Sequence, residues 1–175
     1  TLVTLGNHDY YVNKKALDTV SIYNQKITNL ANIRLLENTG LILNGYKICG
    51  CTGWYPGQFN HNTAYPDFKY ISLFESNRQI IYNQSFKFLY ANQSPNTIYI
   101  THHTPYNFLF EEEILKENRF VFYSMNLPQV LQCKMWIFGH THIKMDKEVN
   151  GIRYINNPFG YYHENLNNNI LEIEI

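Results

Sequence analysis

The sequence predicts one domain of mixed α/β class. Apolar residues recur at helical spacing in some stretches and alternate strictly in others. Asn-Gly pairs at 44–45 and 150–151 each sit between short apolar runs, a strong hairpin signal because both turn positions take positive φ. No repeat, linker or low-complexity tract divides the chain. Its 175 residues suffice for one real core, and a hydrophobic fraction of 45% suits a globular protein.

In chain order, residues 2–5 read as a buried strand. Residues 14–31 carry Ala16, Leu17, Val20, Ile27, Leu30 and Ala31 at helical spacing. Residues 33–36 extend again. Residues 41–43 and 47–49 pair across Asn44-Gly45, and 50–62 form a loop with Gly and Tyr. A broken helical stretch covers 68–92. A buried strand is expected at 96–101, a short helix at 128–132 and a strand at 134–138. Residues 145–149 and 152–155 pair across Asn150-Gly151. The alternation of residues 170–175 predicts a closing strand.

With 14 basic and 14 acidic side chains the net charge is zero, which argues against a nucleic-acid partner. The run Glu111–Glu113 reads as a solvated helix face. The 23 Asn are scattered through patterned segments and reflect composition rather than function. Three Cys, an odd number without a framework, predict reduced thiols and a cytoplasmic setting. Cys49-Gly50-Cys51 lacks a second pair to complete a metal set and reads as packing. No apolar run approaches the ~18 residues of a membrane span, so no membrane partner is expected.

Three polar clusters follow expected strands: Gly6-Asn7-His8-Asp9, Thr101-His102-His103-Thr104-Pro105 and Gly139-His140-Thr141-His142. Five of the seven His lie in them. Strand ends present ligands to a site, and neutral imidazole is the commonest metal ligand. Any one cluster alone could hold ordinary structural His; three together argue for a site. A Gly ahead of two of them lets the chain turn off its strand. On an extended stretch His140 and His142 would face the same way. His61 and His163 read as surface or loop residues.

These motifs resemble those of the calcineurin-like metallophosphoesterases. Gly-Asn-His-Asp, a His after a strand and Gly-His-Thr-His occur in the family's order, with His103 96 residues after Asn7 and His140 37 after His103. Thr-His-His-x-Pro, Trp136-Ile137-Phe138 and Asn157-Pro158-x-Gly160-Tyr161 resemble a branch of small single-domain members. The resemblance implies a four-layer αββα sandwich of two mixed sheets, with residues 1–175 as the carboxy-terminal part of one domain. It implies two divalent metal ions, manganese, iron or zinc, and a phosphate-ester substrate hydrolysed by a metal-bridging hydroxide. Asn7, His103 and His140 would hold the second metal and His142 the first. His103 is preferred to His102 because the family's His usually stands two positions before Pro. His8 would donate a proton to the leaving oxygen, and Asp9 would orient the His8 ring.

The family's Asp-x-His and Gly-Asp-x-x-Asp motifs, which supply the bridging carboxylate, do not occur in these residues. With no initial Met and a strand at its start, the chain is expected to continue upstream by roughly 60–90 residues, about two βα units. The segment alone is then expected to be inactive. Two other readings are a non-catalytic remnant that binds a partner protein, and a one-metal structural site built on His103, His140 and His142. Trp54, Tyr55, Phe59 and His61 are candidates for a substrate pocket.

Overall fold

A computed structural model describes residues 1–11, 16–56, 65–71, 74–116, 122–164, 166 and 169–174. Strands are β1 (Leu2–Val3), β2 (Arg34–Leu35), β3 (Thr39–Leu43), β4 (Tyr46–Cys51), β5 (Thr97–Thr101), β6 (Met135–Phe138), β7 (Met145–Val149) and β8 (Ile152–Asn156). Helices are α1 (Asn7–Tyr11), α2 (Ala16–Ile27), α3 (Pro66–Tyr70), α4 (Phe74–Ala91) and α5 (Glu112–Leu115).

Six strands form one mixed sheet in the order β3-β4-β5-β6-β8-β7. The four central strands run parallel, and the edges are the antiparallel partners of the two hairpins. Asn44 and Gly45 (φ 50° and 81°) and Asn150 and Gly151 (φ 53° and 76°) take the positive φ that both hairpins require. A second, two-stranded parallel sheet pairs β1 with β2.

Strand alternation divides the core. Tyr99 and Trp136 pack with Cys49, Cys51 and the α4 residues Tyr82 and Leu89 on one face. Ile48, Ile98, Met135 and Ile155 meet Leu36 and Leu2 of the small-sheet layer on the other. Leu35 faces the opposite way from Leu36 and packs with Val20, Tyr23 and Ile27, spaced along one side of α2. The layers therefore run α4, large sheet, small sheet, α2, the αββα order the motifs imply.

Two expected elements do not form. Residues 128–132 are irregular: Leu131 N donates to Tyr106 Oη and Gln132 N to Gln93 Oε1, and so short a segment has no cooperative gain from helix formation. The described residues of the expected closing strand, 170–174, pair with no other strand. Ile170 is 86% exposed while Ile173 packs onto the core. The expected loop at 50–62 begins later, because β4 runs on through Cys51; residues 57–62 lie outside the described set.

Candidate metal centre and cleft

The parallel strands all end on one side, in register: Cys51 beside Thr101, and Phe138 beside Asn156. Beyond those ends lie Thr52, His102, His140 and the loop from β1 into α1. A cleft of about 760 Å³ opens on this side, its wall including Asn7, His8, His102, His140, His142 and Glu164.

The centre of the cleft is the His102 ring. Its Nε2 stands 3.0 Å from Asn7 Oδ1 and 3.0 Å from His140 Nδ1. Burial holds the His102 pKa well below the ordinary range, with a smaller push from His103, His8 and His142. His140 is lowered first by burial and then by His103 and His102. Both rings are therefore neutral, the form that ligates metals. Gly6 permits this approach, since a Cβ there would stand 2.9 Å from His102 Cε1.

His140 and His142 reach the cleft from left-handed backbone, at φ 66° and 52°, rather than from an extended stretch. Such conformations persist where the surroundings enforce them. Here Asn156 Nδ2 donates to Thr141 Oγ1 and to Ile143 O, both at 2.9 Å, tying the loop to the end of β8. His142 Nδ1 lies 2.9 Å from Glu164 Oε2, so Nδ1–H donates to the carboxylate and fixes the ring with Nε2 on its far side. Glu164 sits in a 3-10 turn, Tyr162–Glu164, where it also accepts from Tyr161 N at 2.6 Å.

His103 does not border the cleft. It is fully buried, its Nδ1 lies 3.2 Å from Thr52 O, and its ring packs against Trp54 and Tyr55. Burial lowers its pKa to about 4. His103 was expected to join Asn7 and His140; the ring within 3.0 Å of both Asn7 Oδ1 and His140 Nδ1 is His102, while the His103 ring lies 4.5 Å from that of His140. Strand parity explains the arrangement. His102 continues the face of Ile98 and Ile100, which looks toward the small sheet and Asn7, whereas His103 continues the Tyr99 face.

Asp9 was expected to orient the His8 ring; in the structure its Oδ2 accepts from Gly6 N at 2.8 Å and its Oδ1 from Tyr23 Oη at 3.0 Å. Among the described residues it makes no hydrogen bond to His8; it closes the turn that presents Asn7. His8 itself is exposed in the cleft wall, its ring stacked at 4.8 Å on Tyr11. Trp54 and Tyr55 are fully buried and back the site instead of lining a pocket, because both rings are consumed in aromatic packing with Tyr10, His103 and Phe122. Phe59 and His61 lie outside the described residues, and His163 is exposed, as expected. Asp67 and Glu164 were missed, and nothing in their local sequence marks them.

One proton cannot satisfy the contacts at His102 Nε2. If Nε2 carries hydrogen it can point at Asn7 Oδ1 or at His140 Nδ1; if it is bare, Asn7 Oδ1 faces a lone pair. A cation satisfies all three donors at once. Two ligands ~2.1 Å from one ion at a right angle stand ~3.0 Å apart. The donor set therefore fits a divalent metal. Among the described residues no group of three His, Cys, Asp or Glu side chains is placed to hold one; the third donor here is the Asn7 oxygen.

The family model for calcineurin-like phosphoesterases matches residues 1–144, which include all three clusters. The chain belongs to the calcineurin-like phosphoesterase family. A relative named "Uncharacterized protein L509", of Acanthamoeba polyphaga mimivirus, is 27% identical over 197 residues, spanning 94% of this chain and 69% of its own. A solved crystal structure aligns with a TM-score of 0.50 at 16% identity over 90% of this chain. This chain spans 57% of that structure's length, and the likeness bears on the fold alone. Glu164 and Tyr161 lie beyond the residues matched to the family. Among the described residues no helix is long and apolar enough to cross a membrane.

Proposed function

We propose that this chain carries the metal and proton-donor groups of a metal-dependent phosphoesterase acting on phosphomonoesters or phosphodiesters. The observation that carries the reading is the meeting of Asn7 Oδ1, His102 Nε2 and His140 Nδ1 in an open cleft beside His8. Asn7, His102 and His140 would hold one divalent ion, and His142, braced by Glu164, would serve an adjacent one. Bound there, such ions supply charge neutralisation at the phosphate and activation of water. Mixed nitrogen and oxygen donors suit manganese, iron or zinc. His8, at the mouth of the cleft, gives a proton from a ring nitrogen to the leaving oxygen. Asp9 keeps the turn before α1 closed. The three free, buried thiols support a reducing, cytoplasmic setting.

A second reading, a single-ion structural site, is favoured by one observation. The two carboxylates of the cleft wall, Asp9 and Glu164, are both engaged away from the three donors, so neither bridges two ions. Equilibrium dialysis of the metal-free chain against Mn²⁺ or Zn²⁺, with turnover of p-nitrophenyl phosphate and its bis-ester, separates the two. On the enzyme reading His102→Ala loses metal and turnover and His103→Ala retains metal. His8→Ala retains metal and lowers turnover by ~10²–10⁴-fold. Because the bridging-carboxylate motifs do not occur in these residues, turnover is read in a chain joined to those motifs; one bound ion with no turnover there favours the structural site, and no bound ion refutes both.

A further inference from the structure

We infer that Asp67 is a positioning residue for the metal site: its carboxylate fixes the amide of Asn7 so that Oδ1, and not Nδ2, faces His102 and His140. This rests on the metal reading above and adds a residue to it.

Asp67 lies on α3, 60 residues along the chain from Asn7, and is fully buried. Asn7 Nδ2 donates to its Oδ1 at 3.0 Å, Tyr11 Oη to the same oxygen at 2.5 Å, and Tyr55 Oη to Oδ2 at 3.0 Å. Tyr11 Oη also accepts from Asn7 Nδ2 at 3.2 Å. Three donors and no acceptor converge on the group, the environment an ionised carboxylate satisfies, because it only accepts.

That property decides which way the amide points. An Asn amide has nearly the same shape when its oxygen and nitrogen are exchanged, so packing alone leaves the choice open. Beside Asp67 the exchange would set the Asn7 carbonyl against a buried carboxylate. It would also turn NH₂, which has no lone pair for a cation, toward His102 and His140. The carboxylate thus excludes the orientation that cannot bind metal. Asp67 is absent from the cleft wall, so it acts through Asn7. Among the described residues no Lys or Arg pairs with Asp67. A charge buried for folding alone is a poor stabiliser, whereas partners that orient a ligand typically change metal affinity 10–100-fold.

The test uses the full chain with Co²⁺ as probe, reading affinity and the visible absorption bands, with a thermal melt of the metal-free protein alongside. Asp67→Asn leaves a single acceptor oxygen for three donors and brings its own NH₂ to Asn7. We expect Co²⁺ affinity to fall ~10–100-fold and the bands to change as the oxygen ligand is lost. Asn7→Ala should do the same, and the double variant should bind no more weakly than Asn7→Ala alone, since one residue acts through the other. Unchanged affinity and bands in Asp67→Asn, or losses that add in the double variant, would overturn the inference while the metal reading stands. A wild-type chain that takes up no Co²⁺ would sink the metal reading and the inference with it. Should Asp67→Asn fail to fold, Tyr11→Phe/Tyr55→Phe keeps the carboxylate but removes the two phenols that anchor it. The same band change is expected there, and its absence overturns the inference.

Discussion

Glu37 offers a direct test of how the strand ends are held. Its Oε2 accepts from Thr52 N at 2.7 Å and from Thr52 Oγ1 at 2.8 Å. Thr52 O in turn accepts from His102 N and His103 N, so the carboxylate anchors the backbone beneath both rings. Burial raises the Glu37 pKa from the ordinary 4.5 to about 7, against the opposing pull of the Thr52 hydrogen bonds. Between those values the folded chain holds a proton the unfolded chain has released. The resulting stability is fully present below pH ~4.5 and is lost as pH rises through ~7. At ~1.4 kcal/mol per pH unit the whole interval corresponds to ~3 kcal/mol. The part of Glu37 left in water screens this to about 1–2 kcal/mol. Glu37→Gln keeps an acceptor for Thr52 and cannot ionise. In urea unfolding of the metal-free chain the variant should gain ~1–2 kcal/mol on the wild type between pH 5 and pH 8. The buried His residues, whose pKa values are lowered, act in the opposite sense, losing stability as pH falls. They do so equally in both proteins and drop out of the difference. Parallel stability curves for variant and wild type across that range would refute the reasoning.

Two further outcomes are expected. Gly6→Ala pushes a methyl into the His102 ring and should cost ~1–3 kcal/mol in a denaturant melt of the metal-free chain. Its Co²⁺ spectrum should also shift as the ring moves; an unchanged spectrum would detach Gly6 from the site. Cys133 is buried and its thiol is pushed up to about 12, and burial also raises Cys51 well above the ordinary thiol value. Thiol-reagent labelling at pH 8 should therefore follow unfolding, and fast labelling of folded protein would contradict the packing.

The elements legible in the sequence are those whose cause is local. Asn44-Gly45 and Asn150-Gly151 carry their hairpins because positive φ is a property of the two residues themselves. The strands expected at 96–101 and 134–138 form as β5 and β6. The closing strand is not formed although its pattern is the cleanest, because a strand needs a neighbour and residues 170–174 have none among the described strands. The helix expected at 128–132 is displaced by hydrogen bonds to Tyr106 and Gln93, partners that no window of sequence contains.

The site divides along the same line. Asn7, His8, His140 and His142 lie within short motifs, and all four border the cleft. The choice of His103 over His102 turned on the spacing to Pro105; strand parity instead turns His102 toward the face that meets the other sheet, which Ile98 and Ile100 mark. Asp67 and Glu164 had no local signal at all, since each bonds across the fold to a candidate ligand, 60 residues from Asn7 and 22 from His142. Metal donors need only the right atom at a strand end, which a motif encodes. The groups that aim those atoms need a fixed position in the packed core, and long-range contacts alone determine it. Reading such a site from sequence therefore recovers candidate donors before their orientation, and the carboxylates that bond to those donors are the residues a structure adds.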